Sequence, residues 1–196
     1  AVSHAAASAA EHNNTVLDEE KTTMKKTVTI EGMMCAHCVA HVEKALTALY
    51  ERLNVENYDL WMDGVTDNGL VTHSWNRGYD LGRGLGSTAS SFPANKWDNG
   101  YISVQRANNV INNIDKYQWP GGESDANRNQ VLGEARTLRA YFYLDLVSIF
   151  GHIMFYTENP ATVAESENVK QIQDPKEVFD FILDDLDKAI AELPDK

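Results

Sequence analysis

The stretch NRNQVLGEARTLRAYFYLDLVSIFG constrains the fold more than any other part of the sequence. Its apolar residues recur at helical spacing, and a second apolar set occupies the opposite side of the same helix. A helix that is apolar around most of its circumference must be covered on several sides. The pattern therefore predicts a central helix over residues 127–150 that ends at Gly151. The first set is Leu132, Ala135, Leu138, Phe142, Leu146 and Ile149, and the second is Tyr141, Tyr143, Val147 and Phe150.

The end of the sequence predicts another amphipathic helix, over residues 175–192. Asp174 is suited to cap its N-terminus and Pro175 to occupy the first helical position. Glu177 then completes the spacing of a capping box. The predicted buried stripe consists of Val178, Ile182, Leu186, Ala189 and Leu193.

Two further patterns complete a prediction of four main helices. One helix is predicted over residues 97–117, with Asn108 as a buried hydrogen-bonding residue, and the other over residues 39–53. Before them, residues 1–23 are small, polar and aperiodic, which predicts a disordered lead-in. A short strand is predicted near residues 26–31. The fold class is therefore predicted to be all-α, with one short strand that leads into the first helix.

The net charge of the chain disfavours two classes of binding partner. The sequence has 29 acidic and 17 basic residues, a net charge of −12, which argues against nucleic acid or an anionic membrane surface as a partner. No segment approaches the roughly 20 apolar residues of a membrane-spanning helix, so no transmembrane segment is predicted. No signal peptide and no lipid-attachment motif can be read in the sequence.

The segment GMMCAHC, residues 32–38, contains both cysteines. Cys35 and Cys38 lie in a predicted loop where a helix begins, and the helix dipole favours the thiolate form there. Paired thiolates are soft ligands that prefer Cu(I) or Zn(II). Two ligands suffice for near-linear Cu(I), whereas Zn(II) normally takes four. The spacing indicates a metal site or a redox pair.

This segment resembles the heavy-metal-associated domain of copper chaperones and copper-pumping ATPases. GMMCAHC matches the GMxCxxC loop of that family, and MKKTVTI resembles the start of a free-standing chaperone at Met24. The resemblance covers the first strand and first helix of the family, residues 24–49. It implies that Cys35 and Cys38 bind Cu(I), while no cofactor is required by the rest of the chain.

A wider resemblance rests on three motifs in order: WDNGYISVQRAN, GEARTLRAYFYLDLVSIFG and EVFDFILDDLDKAIAELP. Together they resemble the N-terminal part of the SusD/RagB family, over residues 48–196. Members are outer-membrane lipoproteins that bind glycans or other nutrients and cap a TonB-dependent transporter. Their helical half is built of TPR-like helix pairs. The resemblance thus implies a TPR-like scaffold, an outer-membrane location, and a glycan and a transporter as partners.

The two resemblances divide the chain. We expect a lead-in over residues 1–23, a partial heavy-metal-associated motif over 24–49 and a SusD-like helical region over 50–196. The C-terminal half of a SusD-like protein is expected to be absent.

Candidate ligand residues lie on a glycine-rich loop that precedes the helix predicted at residues 97–117. Glycan sites combine aromatic faces with amide and charged groups, and this loop offers both. Trp61 and Trp75 have an alternative role, because a tryptophan here can also fill the layer between helices. The candidate residues are Trp61, Asp67, Asn68, Trp75, Asn76, Arg77 and Tyr79.

Three functions follow from the sequence. Glycan binding in nutrient uptake is favoured, copper binding at the cysteines is the alternative, and a helical protein-interaction module is the third. The chain is predicted not to be an enzyme. Asp184, Asp185 and Asp187 are predicted to face solvent, and no nucleophile–base arrangement has a supporting context. The group Glu134, Arg136 and Arg139 is predicted to form helix-surface or inter-helix ion pairs.

Overall fold

The computed structural model describes residues 36–53, 63–74, 78–87, 90–119 and 121–194. These residues contain three short 3₁₀ turns and five α-helices, in the order α1 (Ala36–Tyr50), α2 (Ser91–Asn113), α3 (Ala126–Phe150), α4 (Val163–Asn168) and α5 (Lys176–Glu192).

The predicted all-α class is confirmed for the described residues. The extended structure within them amounts to a single antiparallel bridge between Met154 and Gln171. The strand predicted near residues 26–31 and the lead-in over residues 1–23 lie outside the described residues.

The helix α3 lies at the centre, in contact with α1, α2 and α5, as its apolar circumference predicts. Asp125 caps its N-terminus by accepting hydrogen bonds from the backbone N–H groups of Asn127 (2.9 Å) and Arg128 (3.0 Å). Gly151 ends it with φ +68°, and the Gly151 N–H donates to the Val147 carbonyl. The predicted C-terminal stop is therefore confirmed.

Two predicted helix bounds need correction. The helix α2 begins at Ser91 rather than at residue 97. Pro93 is compatible with this earlier start because it lies in the first turn, where backbone N–H groups make no hydrogen bond within the helix. The helix α1 spans residues 36–50 instead of 39–53, and Arg106 donates a hydrogen bond (2.8 Å) to the Ala48 carbonyl in its last turn.

The short helix α4 was not expected from the sequence, although a local signal exists. Thr162 and Glu165 have the spacing of a capping box, and the Glu165 N–H donates to the Thr162 hydroxyl (3.2 Å). At the start of α5 the Asp174 carboxylate accepts a hydrogen bond from the Lys176 N–H (2.9 Å), which is the kind of interaction that its predicted capping role requires.

Two tyrosines attach the segment after α3, residues 152–162, to the helices. The Tyr101 hydroxyl accepts from the Met154 N–H (2.7 Å) and donates to the Met154 carbonyl (3.0 Å). The Tyr143 hydroxyl accepts from the Tyr156 N–H (3.2 Å) and donates to the Tyr156 carbonyl. Each hydroxyl thereby satisfies both backbone groups of one residue, as burial of that backbone requires.

A buried polar network, the Arg139 network, joins α2, α3 and α5. Arg139 donates to both carboxylate oxygens of Asp185 (2.7 and 2.8 Å) and, through Nη1, to the Asn108 side-chain oxygen (2.8 Å). Arg136 bridges Asp185 (3.2 Å) to Glu192 (3.1 Å). The side chains of Arg139 and Asp185 are 4% and 1% exposed. The predictions that Asn108 is buried and that the arginines form inter-helix pairs are confirmed.

The prediction that Asp185 faces solvent is wrong, whereas Asp184 and Asp187 are exposed as expected. Asp185 lies in phase with Val178 and Ile182 on the buried stripe of α5. A carboxylate is tolerated there because Arg139 and Arg136 supply charge and hydrogen bonds from α3.

We expect Asp185→Asn to lower the free energy of unfolding by about 3–5 kcal/mol, because it leaves the charge of Arg139 buried without a counterion. The matched control is Asp184→Asn, which removes an exposed pair with Lys188 and should cost about 0.5 kcal/mol or less. Chemical denaturation of both variants measures the difference. Equal losses in the two variants would show that the buried pair does not stabilise the fold.

Alkaline pH should destabilise the protein through its buried tyrosines. Burial raises the pKa of Tyr101 and of Tyr143 above the ordinary value of 10.0. Below pH 10 the two tyrosines are protonated in the folded and in the unfolded protein, so they cause no change of the unfolding free energy with pH. Above it the unfolded chain ionises first, and stability falls by up to about 1.4 kcal/mol per pH unit for each tyrosine.

We expect Tyr143→Phe to be less stable than the wild type at pH 8 but to have a shallower slope of unfolding free energy between pH 10 and 11. Tyr141, which is 41% exposed, offers the control Tyr141→Phe on the same helix. Denaturation at a series of pH values measures both slopes. An unchanged slope in Tyr143→Phe would contradict the assignment.

Candidate functional site

A cleft of about 310 Å³ lies between the end of α1, the first half of α2 and the middle of α3. We call it the polar cleft, because six of its ten lining residues carry charged or amide side chains. The lining residues are Glu51, Arg52, Phe92, Asn95, Lys96, Asn99, Gly100, Tyr141, Phe142 and Asp145.

Two polar pairs connect the helices at the polar cleft. The Arg52 guanidinium donates a 2.5 Å hydrogen bond to the Asn99 side-chain oxygen, joining the end of α1 to α2. The Lys96 ammonium lies 3.0 Å from the Asp145 carboxylate, joining α2 to α3, and the two side chains are 18% and 17% exposed. Together with Glu51, the lining contains two cationic and two anionic side chains, so their formal charges cancel.

The same cleft has an apolar part. Phe92 and Phe142 are buried, while Tyr141 keeps 41% of its surface exposed at the rim. Gly100 permits the close approach of α2 to α3, because a Cβ atom at this position would lie 2.7 Å from a Leu146 methyl group. The polar cleft therefore combines charged and amide side chains with a partly exposed tyrosine and two buried phenylalanines.

The end of α1 is held in place by hydrogen bonds to α3. The Tyr50 hydroxyl donates to the Glu134 carboxylate (2.7 Å), and Gln130 donates to the other oxygen of the same carboxylate (3.0 Å). Arg106 caps the last turn of α1 from α2, and burial together with the nearby Arg52 charge lowers the pKa of Arg106. These contacts position Arg52 at the polar cleft.

The structure describes three of the seven ligand residues predicted from sequence. Asp67 and Asn68 are exposed in the loop 63–74, and Tyr79 lies in the segment 78–87. Trp61 and the run Trp75, Asn76 and Arg77 lie outside the described residues. None of the three described candidates lines the polar cleft.

Arg83 organises the described part of this loop. Its guanidinium lies 3.7 Å above the centre of the Tyr79 ring, and it donates hydrogen bonds to the carbonyls of Val71 (2.6 Å) and Tyr79 (3.2 Å). One face of the Tyr79 ring is thus in contact with a guanidinium instead of being open to a sugar. A Cβ atom on Gly82 would lie 2.5 Å from the Gly64 carbonyl, so the two halves of the loop touch here.

Sequence reasoning missed the residues of the polar cleft. Asn95, Lys96 and Asn99 lie before or just within the helix that was predicted to begin at residue 97, and they were not assigned to one helix face. With α2 beginning at Ser91, Asn95 and Asn99 are four residues apart in one helix, and this spacing indicates that they share a helix face.

A second cleft of about 480 Å³ runs between α2 and the segment after α3, and we call it the aromatic groove. Its rings also stabilise the fold, because Tyr101 stacks on Tyr156 with 6.1 Å between ring centres and Trp97 meets Tyr101 edge to face. The lining residues are Trp97, Asp98, Tyr101, Ile102, Gln105, Met154, Tyr156, Pro160, Ser166 and Val169.

The predicted copper site lies only in part within the residues that the structure describes. Cys35 lies outside them, and the backbone of Cys38 lies in the first turn of α1. Among the residues that the structure describes, no group of three or more His, Cys, Asp or Glu side chains could hold a metal ion. Copper binding at Cys35 and Cys38 stays a prediction.

None of the helices in the described residues is both long enough and apolar enough to cross a bilayer.

Comparisons with known proteins point to one family. A family model described as SusD-like, starch-binding and associating with the outer membrane, matches residues 13–196. A SusD-like protein of Bacteroides ovatus is 31% identical over 100 residues, which are 51% of this chain and 18% of that protein. The SusD-like protein P38 of Formosa agariphila is 30% identical over 94 residues, which are 48% of this chain and 17% of that protein.

A crystal structure of a SusD-like protein from Bacteroides fragilis has the same fold, with a TM-score of 0.63 at 21% identity. The similarity covers 79% of this chain and 30% of that chain. The chain therefore spans less than a fifth of the two curated relatives and less than a third of the structural one.

We expect Arg83→Ala to loosen the loop between residues 63 and 87, because it removes the contacts to Val71 and Tyr79 together. Hydrogen exchange at residues 71–83 should become faster, while exchange in α3 stays slow. The control Arg83→Lys keeps the charge but not the planar fork, and it should have an intermediate effect. Unchanged exchange in Arg83→Ala would show that the loop is held by other contacts.

Proposed function

Because the chain belongs to the SusD-like family, we propose that it forms part of a glycan-binding protein that works in nutrient uptake at the outer membrane. The observation that carries this proposal is the match of the family model to residues 13–196, nearly the whole chain. The resemblance that the sequence motifs indicate is thereby confirmed for this family. The resemblance to heavy-metal-associated domains stays a prediction.

The geometry of the described residues supports a binding role. The helices α1, α2 and α3 are joined by buried side chains and by hydrogen bonds from Tyr50 and Arg106, so they form a firm support for loops and clefts. The polar cleft places amide and charged side chains beside the partly exposed Tyr141, and glycan-binding sites combine polar groups of these kinds with aromatic side chains. We propose binding without chemical change of the ligand, and no reaction is assigned to the chain.

The proposed partner within the membrane is a TonB-dependent transporter, as the family resemblance implies. We propose that the helices provide the scaffold, and that the loop between residues 61 and 93 faces the nutrient or the transporter. The net charge of −12 supports a protein partner or a neutral glycan over an anionic surface.

We expect this chain to bind starch-derived oligosaccharides with a dissociation constant near 1 mM, about −4 kcal/mol. The affinity should be low because the chain spans less than a fifth of its curated relatives, and a glycan site needs several converging groups. Isothermal titration with maltoheptaose and with a panel of neutral oligosaccharides measures it. The control ligand is polyethylene glycol of similar mass, and the absence of binding to every oligosaccharide would contradict the proposal.

A further inference from the structure

We propose that Asn68 is a site of spontaneous deamidation, where the side-chain amide is converted to a carboxylate without an enzyme. The inference concerns the covalent chemistry of the loop 63–74 and does not rest on the proposed function. An asparagine that precedes a glycine is suited to this reaction, because glycine has no side chain to obstruct its own backbone nitrogen. The sequence contains two such pairs, Asn68–Gly69 and Asn99–Gly100, and an aspartate precedes each of them.

The reaction uses the backbone nitrogen of Gly69 as the nucleophile. This nitrogen loses its proton to water and attacks the side-chain carbonyl carbon, Cγ, of Asn68. The bond from Cγ to Nδ2 breaks, Nδ2 takes up a proton and leaves as ammonia, and a succinimide ring remains. Water then adds to one of the two ring carbonyls. Addition at Cγ gives aspartate, whereas addition at the main-chain carbonyl gives isoaspartate, so water is consumed and ammonia is released in equal amounts.

The surroundings of Asn68 leave both reacting groups accessible. Asn68 is exposed in a turn, and Gly69 follows it outside the helices. The Asn68 backbone N–H donates to the Thr66 hydroxyl (3.3 Å), and this bond engages neither reacting group. Among the described residues, no hydrogen bond engages the Asn68 side chain or the Gly69 N–H. Ring closure therefore does not have to break a hydrogen bond within the described part of the chain.

The second pair has the same local sequence in a protected setting. Asn99 and Gly100 lie in the interior of α2, where the helical pattern joins each backbone N–H to the carbonyl four residues earlier. The Asn99 side-chain oxygen accepts a 2.5 Å hydrogen bond from Arg52, and Gly100 is buried. Ring closure at Asn99 would have to break the helical bond and turn the backbone out of its helical conformation. The fold therefore protects Asn99 and leaves Asn68 free to react.

Deamidation changes the loop in two ways. It replaces an amide, which donates and accepts hydrogen bonds, by a carboxylate that only accepts, and it places a negative charge next to Asp67. Isoaspartate also lengthens the main chain where the loop is closely packed, because a Cβ atom on Gly69 would lie 3.0 Å from the Asp63 carbonyl oxygen. Shortly after Gly69, the Val71 carbonyl accepts a hydrogen bond from Arg83 (2.6 Å). We expect isoaspartate to weaken this contact.

The experiment follows both pairs by peptide mass spectrometry while the folded protein is incubated at neutral and at mildly alkaline pH. Trypsin releases the pairs in separate peptides, residues 53–77 and 97–106. We expect Asn68 to deamidate about tenfold faster than Asn99, or more. The rate at Asn68 should rise with pH, because the attacking nitrogen must lose its proton. Electron-transfer fragmentation locates the change at Asn68 and distinguishes isoaspartate from aspartate.

Two controls separate the effect of the fold from that of the sequence. In concentrated guanidinium chloride the two pairs should react at rates within about threefold of each other, because both belong to an Asp-Asn-Gly tripeptide and the fold is lost. The variant Asn68→Gln should not react on the same timescale, because its longer side chain would have to close a larger ring. Hydrogen exchange at residues 71–83 should become faster in the aged wild type and stay unchanged in aged Asn68→Gln. Circular dichroism verifies that the variant is folded.

Equal rates at Asn68 and Asn99 in the folded protein would overturn the proposal, and so would a faster reaction at Asn99. If Asn68 reacts faster in the folded protein and the difference disappears in guanidinium chloride, the fold is what selects the site. If Asn68 reacts but exchange at residues 71–83 does not change, the expected weakening of the loop is wrong. None of these outcomes depends on whether the chain binds an oligosaccharide.

Discussion

The buried pair between Arg139 and Asp185 is the interaction on which the helical assembly depends. It joins α3 to α5, and Asn108 extends it to α2, while Asn108 also reaches the Tyr156 carbonyl (3.4 Å) in the segment after α3. A buried ion pair contributes little by itself, because removing two charges from water costs about as much as their attraction returns. Once it is present, however, each partner needs the other. The network therefore specifies which faces of α2, α3 and α5 meet.

The hydroxyl groups of Tyr101 and Tyr143 provide hydrogen-bond partners for backbone groups, as Arg139 does for the buried carboxylate. A buried peptide group without a hydrogen bond is costly, and the segment after α3 makes just a single bridge, to Gln171, among the described residues. Tyr101 from α2 and Tyr143 from α3 supply the missing partners. Side chains of the helices thus do for this segment what a neighbouring strand would do in a sheet.

The polar cleft contains none of these residues, but it is lined by α2 and α3, which the bond from Arg139 to Asn108 joins. Its two polar pairs join the turn after α1 to α2 and α2 to α3, so their geometry is set by how those helices pack. Leu46 and Leu49 of α1 are fully buried in the same core as α2 and α3, which fixes the end of α1 where Arg52 begins to line the cleft. The polar side chains of the cleft are in this way positioned by the apolar packing of the helices beneath them.

The sequence by itself determined the elements whose signal is local. The apolar circumference of α3, its end at Gly151 and the burial of Asn108 were predicted correctly, because helical periodicity records which face is covered. Tertiary structure decided what depends on a distant partner. Asp185 was expected in solvent, since its burial is favourable only with Arg139 opposite on α3. The polar cleft likewise brings together residues of α2, of α3 and of the turn after α1, and the periodicity within one helix cannot predict contacts between side chains that are far apart in the chain.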